Sequence, residues 1–326
     1  MTTRRHLLAA TAGAFGLAAL PGLVRAQTLE SARILVGFPA GGTVDAVARR
    51  VADKLRGSYA KTVLVENKPG VGGRLAVEEL KRSAPDGSTL LVTPAAMITL
   101  YPHLYSKLAY GIDDVTPVST VAQVAFALGV GPAVPDSVKT VKDFLAWAQA
   151  NPSQANYGSP GAGTPPHMVA ALLSKESGVE LRHVPYRGSA PGIQDLLGGQ
   201  VTAFSSPIGD YLPHLKTGKL RVLATSGPAR SSFAPNVPTY TEQGFKALEM
   251  VEWYGLFLPA KAPPEVAQRA AAAVRAGMAT PEMAEALSAF GMEVKVNSPA
   301  ELAKAVKEEN AAWGPIVKKV GFTPET

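Results

Sequence analysis

Two glycine-rich segments hold most of the chemistry this sequence offers. The first runs Gly37-Phe38-Pro39-Ala40-Gly41-Gly42-Thr43-Val44-Asp45, and the second Gly158-Ser159-Pro160-Gly161-Ala162-Gly163-Thr164-Pro165-Pro166-His167. Each follows a short apolar run and opens a stretch of helical periodicity. Glycines leave backbone N–H groups unshielded, and a helix start adds unpaired donors and the positive end of a dipole. That combination suits an anion. In the second segment Ser159 and Thr164 add hydroxyl donors, and Pro165 and Pro166 fall at first helical positions, where a missing N–H costs little. Neither segment is a nucleotide loop. The first lacks the Lys-Ser/Thr pair of a P-loop, and the second lacks the rest of the dinucleotide fingerprint.

The single residues point less sharply. Asp45 reads as a partner for first-turn amides, with a general base as the competing reading. His167 reads as a helix residue bonded locally, because no second His, Cys or acid lies at metal-ligand spacing; a catalytic base or metal ligand competes. Ser159 is outside a Gly-x-Ser-x-Gly elbow, which argues against a hydrolase nucleophile. Arg74 and Arg187 could each pair with a ligand carboxylate, but solvated surface arginines are the commoner case. Trp147 and Trp313 are expected in the core. No catalytic residue, metal or cofactor is assigned.

The elements that must position these loops alternate. Strands are expected over 33–38, 62–65, 89–93, 155–157, 181–185, 201–204, 220–225 and 253–258. Val44, Val47, Val51 and Leu55 share one face of a helix. Thr140 caps another, which carries Val141, Phe144, Leu145 and Ala148 and ends at Asn151-Pro152. Residues 264–319 read as mostly helical. This alternation argues for an α/β protein with mainly parallel sheets. Two extended apolar segments, 118–130 and 252–258, read as crossings between two sheets and thus as a two-strand hinge. The division expected is 27–123 with 251–326 as a discontinuous first lobe and 124–250 as a second.

The first 26 residues read as an export signal. Arg4-Arg5 precede an apolar run over 7–20, Pro21 breaks it, and Val24-Arg25-Ala26 sets small residues for a cut after Ala26. Thr3-Arg4-Arg5-His6-Leu7-Leu8 resembles the twin-arginine motif, with an ordinary secretory signal as the alternative. Cleavage would take three of the 32 basic side chains and no acid, lowering the net charge from +6 to +3. That mild excess, without basic runs, argues against nucleic acid and slightly favours anionic solutes. There is no cysteine, so no lipid-modified cysteine can anchor the chain.

Together these segments resemble the Bug family, the periplasmic solute receptors of tripartite tricarboxylate transporters. The resemblance rests on Phe38-Pro39-Ala40-Gly41-Gly42 with Asp45 and Ala48-Arg49, on Tyr157-Gly158-Ser159 with Gly161, Gly163, Thr164 and His167, and on Val184-Pro185-Tyr186-Arg187-Gly188. It continues through Gly218-Lys219-Leu220-Arg221-Val222-Leu223-Ala224, Val237-Pro238-Thr239 with Glu242 and Gly244, Trp253-Tyr254-Gly255-Leu256 and Gly291. Leu258-Pro259-Ala260-Lys261-Ala262-Pro263 departs from the family's usual Pro-Ala-Gly-Thr-Pro turn, outside the expected site.

The resemblance implies a type II periplasmic binding-protein fold that closes on a small organic acid held by backbone amides. By correspondence the contacts are Phe38, Pro39, Ala40, Gly41, Gly42, Thr43 and Asp45, with Ser159, Gly161, Ala162, Gly163, Thr164 and His167. Loops around Pro94-Ala95-Ala96 and Ser205-Ser206-Pro207 are expected to shape the distal pocket. The expected partners are that acid and the transporter's membrane subunits, for a soluble monomer. A receptor that signals to a membrane partner, and an exported hydrolase or isomerase using the same cleft, are the alternatives.

Overall fold

The computed structural model describes residues 28–323; the expected export signal lies outside them. The first half of the chain lays down β1 (Leu29–Val36), α1 (Thr43–Leu55), β2 (Ala60–Asn67), α2 (Arg74–Arg82), β3 (Thr89–Pro94), α3 (Ala96–Thr99), α4 (Tyr101–Leu104), β4 (Val115–Val130), α5 (Val141–Ala150) and β5 (Asn156–Ser159). There follow α6 (Pro165–Ser177), β6 (Arg182–Pro185), α7 (Ser189–Leu197), β7 (Ala203–Pro207), α8 (Leu212–Leu215) and β8 (Arg221–Thr225). The chain closes with β9 (Val251–Pro259), α9 (Pro264–Met278), α10 (Pro281–Ser288), β10 (Glu293–Val294) and α11 (Pro299–Val320).

The α/β class holds, but the expectation of two mainly parallel sheets is corrected. The strands form one mixed sheet in the order β2-β1-β3-β9-β4-β7-β5-β6, with β8 and β10 also paired to β4. The reason is β4. Its residues Val115–Ala125 pair antiparallel with β9, and Phe126–Val130 pair antiparallel with β7 and β8. One strand of 16 residues is therefore long enough to belong to both halves. Its register shifts between Pro117 and Ser119 and between Thr120 and Ala122 against β9, and between Leu128 and Gly129 against β8, as bulges that bend a long strand. Parallel pairing is confined to the outer strands, β2-β1-β3 and β6-β5-β7.

Each parallel trio has the same logic. The first strand of the trio in sequence, β1 or β5, ends in the middle with its two successors on either side. Strand order reverses there, and the loop leaving that strand opens at the edge where ligands bind in open α/β sheets. Both glycine-rich segments are these loops. The core locks them in place. Val44, Val47, Val51 and Leu55 are all buried on one stripe of α1, against Ile34, Val36 and the α9 residues Ala267, Ala270 and Val274. Burial of each such side chain contributes about 1.5–3 kcal/mol. The helical stretch expected over 264–319 is broken into α9, α10 and α11 by Thr280, which caps α10 through the Met283 amide, and by β10. Trp313 is buried as expected, and Trp147 is half-buried and stacks on Phe144.

Candidate functional site

The loop after β1 is shaped by Asp45. Its carboxylate accepts hydrogen bonds from the Gly41 amide at 2.9 Å, from Asn67 Nδ2 at 2.9 Å and from Arg49 Nε at 2.9 Å. Burial pushes this carboxyl up, but the bonds from Arg49, Gly41 and Asn67, with the Arg49 charge, outweigh it and hold the pKa below the ordinary value. Asp45 thus ties the loop to its own helix. The first backbone bond of α1 is Ala46 N–H to Gly42 O at 2.9 Å. The amides of Thr43, Val44 and Asp45 have no acceptor among the described residues, which leaves one helix end ready for an anion.

The loop after β5 is held differently. Gly163 N–H donates to His167 Nδ1 at 3.0 Å, so that glycine's amide is occupied within the loop. Thr164 Oγ1 and Ser159 Oγ both donate to Gly161 O, at 2.8 and 3.1 Å. His167 stacks on His183 with ring centroids 3.9 Å apart, and His183 Nε2 is 2.8 Å from Ser159 Oγ. Burial, then the neighbouring His183, pushes His167 down to about 3, and burial pushes His183 down to about 4. Both rings are neutral at pH 7 and serve the loop's shape.

A cavity of about 420 Å³ lies between the two loops, within the range of small-ligand pockets. Of the residues expected at the site, Phe38, Pro39, Gly42, Thr43 and Thr164 line it. Ala40, Gly41, Asp45, Ser159, Gly161, Ala162, Gly163 and His167 are outside the lining, as are Ala95, Ser205 and Ser206. The neighbours of those last three, Pro94, Ala96 and Pro207, do reach the cavity. Arg74 donates to Val71 O and stacks over Tyr105, and Arg187 is exposed; neither lines the cavity.

The far wall was not anticipated as a site. Glu252 and Tyr254 reach the cavity from β9, Asp210 from the turn after β7, and Phe290 and Met292 from the segment after α10. Period two puts Glu252 and Tyr254 on one face of β9 and Trp253 on the other. The Glu-Trp-Tyr triplet carried that signal: an acid alternating with aromatics in an otherwise apolar strand is out of place unless it faces something polar. Burial first, and the charge of Glu309 next, push Glu252 up to about 8, against the pull of the Ala96 and Ala95 amides. Among the described residues no group of His, Cys, Asp or Glu is placed to hold a metal ion, and no helix is long and apolar enough to cross a membrane.

An α/β sheet with two helix-opening loops around one small cavity defines a solute-binding protein. Residues 47–322 match the tripartite tricarboxylate transporter family receptor. The chain belongs to that family, whose members are transporter receptors and not enzymes. It is 33% identical to a protein encoded in the gbd 5′ region of Cupriavidus necator, with 98% of each chain covered. Among solved structures it is similar to an R. palustris protein with adipate, at 28% identity and TM-score 0.79, covering 90% of this chain and 98% of that one. It is also similar to the periplasmic binding protein BugD, at 28% identity and TM-score 0.76, covering 90% and 99%.

Proposed function

We propose that this chain captures a small carboxylate-bearing solute in the cavity between the two glycine loops and delivers it to the membrane subunits of a tripartite tricarboxylate-type transporter. The observation that carries the reading is the start of α1: three amides without acceptors, two of them on residues that line the cavity. The ligand carboxylate rests on Thr43, Val44 and Gly42, with Thr164 closing from the opposite loop. Phe38, Pro39, Ala40 and Gly41 fix the near loop; Ser159, Gly161, Ala162, Gly163 and His167 fix the other; Asp45 holds α1's first turn. Ala95, Ser205 and Ser206 support the distal loops. The relative solved with adipate supports a carboxylate as the ligand class.

In this reading the protein is a type II flytrap. Residues 27–123 and 251–326 form one lobe, residues 124–250 the other, and the crossings by β4 and toward β9 act as the hinge. It works as an unanchored monomer in the periplasm, exported on residues 1–26. Amides aimed at an anion lose a charge-assisted bond when the ligand is neutral, about 1.5–3 kcal/mol, or roughly ten- to a hundredfold in affinity. A thermal-shift screen pairing small acids with their amides tests this. Acids alone should stabilise the protein; equal stabilisation by both members of every pair removes the anion site.

A further inference from the structure

The cavity has two chemically different ends. At one, α1 offers bare amides. At the other stand two carboxyl groups, Glu252 and Asp210, with the phenol of Tyr254 coupled to both. No lysine, arginine or histidine lines the cavity to offset them. Arg50 lies over the Phe290 ring at 5.6 Å, but it does not line the cavity, and its Nη1 donates to Ala46 O.

None of the three polar groups is fully engaged by the protein. Tyr254 is 8% exposed, and its side chain opens on the cavity. Its hydroxyl is therefore available to a ligand. Glu252 is also 8% exposed and accepts one bond, from the Ala96 amide at 3.2 Å. Asp210 is bonded by Ser206 Oγ, which is itself 3.0 Å from Ser189 Oγ. A second ligand carboxylate placed here would find no basic side chain and could bind only while Glu252 keeps its proton. A protonated amine would meet the Asp210 carboxyl, the Glu252 carboxyl as it gives up its proton, the phenol oxygen and the faces of nearby aromatic rings.

Given a carboxylate on the α1 amides, the reading on which this rests, we propose that the Glu252, Asp210 and Tyr254 wall binds an ammonium group. The solute is then a zwitterion, an acid that also carries a protonated amine. Burial and the charge of Glu309 on α11 disfavour the ionised form of Glu252, and no basic side chain lines the cavity to offset them. An incoming cation reverses that balance, so the bound complex releases a proton near pH 7.

The experiment is titration calorimetry on the purified full chain in two buffers of different ionisation enthalpy. The ligands are straight-chain amino acids up to aminocaproate and the common α-amino acids, each matched with its deaminated acid and its dicarboxylate. The expected result is at least one amino acid binding tenfold or more tighter than both counterparts, with proton release. Glu252→Gln and Tyr254→Phe, each checked for an unchanged unfolding transition, should narrow that ratio, the first by tenfold or more. If every amino acid binds no better than its deaminated acid, or a dicarboxylate wins with proton uptake, the ammonium site is overturned while the carboxylate reading stands. If no acid binds better than its amide, the carboxylate reading itself fails. If the ratio survives Glu252→Gln and Tyr254→Phe, the wall is not the discriminating element.

Discussion

His167 and His183 show how far a residue can be read without its neighbours. The loop motif announces His167, and its local bond to the Gly163 amide follows from a spacing of four. His183 comes from the next strand, and no sequence pattern places the two rings 3.9 Å apart. The stack has a thermodynamic signature. Unfolded, each ring titrates near 6.5; folded, they stay neutral until about 3 and 4. Between those limits only the unfolded chain gains protons, so the pair's contribution to stability is present above pH 6.5 and is lost as pH falls. Glu252 works in the opposite sense. Its pKa rises from 4.5 to about 8 on folding, so its contribution is present below 4.5 and is lost as pH rises through 8. The two slopes oppose one another between about pH 4.5 and 6.5. The difference between wild type and His183→Gln isolates the contribution of His183. Urea midpoints measured from pH 7 to 4 should fall less steeply in the variant; identical slopes would mean that this ring is charged in the folded protein.

At the scale of elements, α1 was legible almost in full, because its stripe of four branched apolar residues and its glycine entrance are local facts. Thr140 capping α5 was equally legible: its side chain accepts from the Asp143 amide, and the Asp143 carboxylate accepts from the Thr140 amide. Asp45 was half legible. Its place in the first turn is a sequence fact, but its second partner, Asn67, comes from the end of β2. Asp45→Ala should leave the Gly41 amide and the Asn67 amide group short of an acceptor, lowering unfolding stability by about 1–3 kcal/mol. The exposed Arg49 pairing adds little to that. Urea denaturation at an unchanged m-value checks the figure, and calorimetry should show weaker acid binding as the loop loosens. A stability change under a few tenths of a kcal/mol would mean that the loop is set by its glycines alone. The β9 wall was less legible because its residues come from β9, the turn after β7 and the segment after α10, which meet only when the sheet forms. The start of α6 shows the same limit. Pro165 and Pro166 mark it as a helix start, yet they remove the donors that would make it an anion site to match α1.

At the scale of the molecule, the crossings near 120 and 250 were visible as long apolar runs, but their joint role was not. Pairing partners decide whether two runs separate two sheets or fuse one, and β4 fuses them. A second tie comes from α11, whose last turn reaches α6 through a Lys319–Glu176 ion pair, while Phe322 packs beside Gly163 and His167. Closure on a ligand, if the proposed lobes move, bends β4 and slides α11 over α6. Small-angle scattering with a bound acid should give a smaller radius of gyration than without it. An unchanged curve at saturating ligand sinks the hinge. The shared strand also governs how the protein comes apart. The hydrogen bonds of β4 to β9 and to β7 and β8 run along one unbroken backbone, so melting either half strips the pairing edge from the other. The heat of unfolding then arrives as one calorimetric peak whose van't Hoff enthalpy equals the measured enthalpy, and neither half, expressed alone, retains a protected amide core.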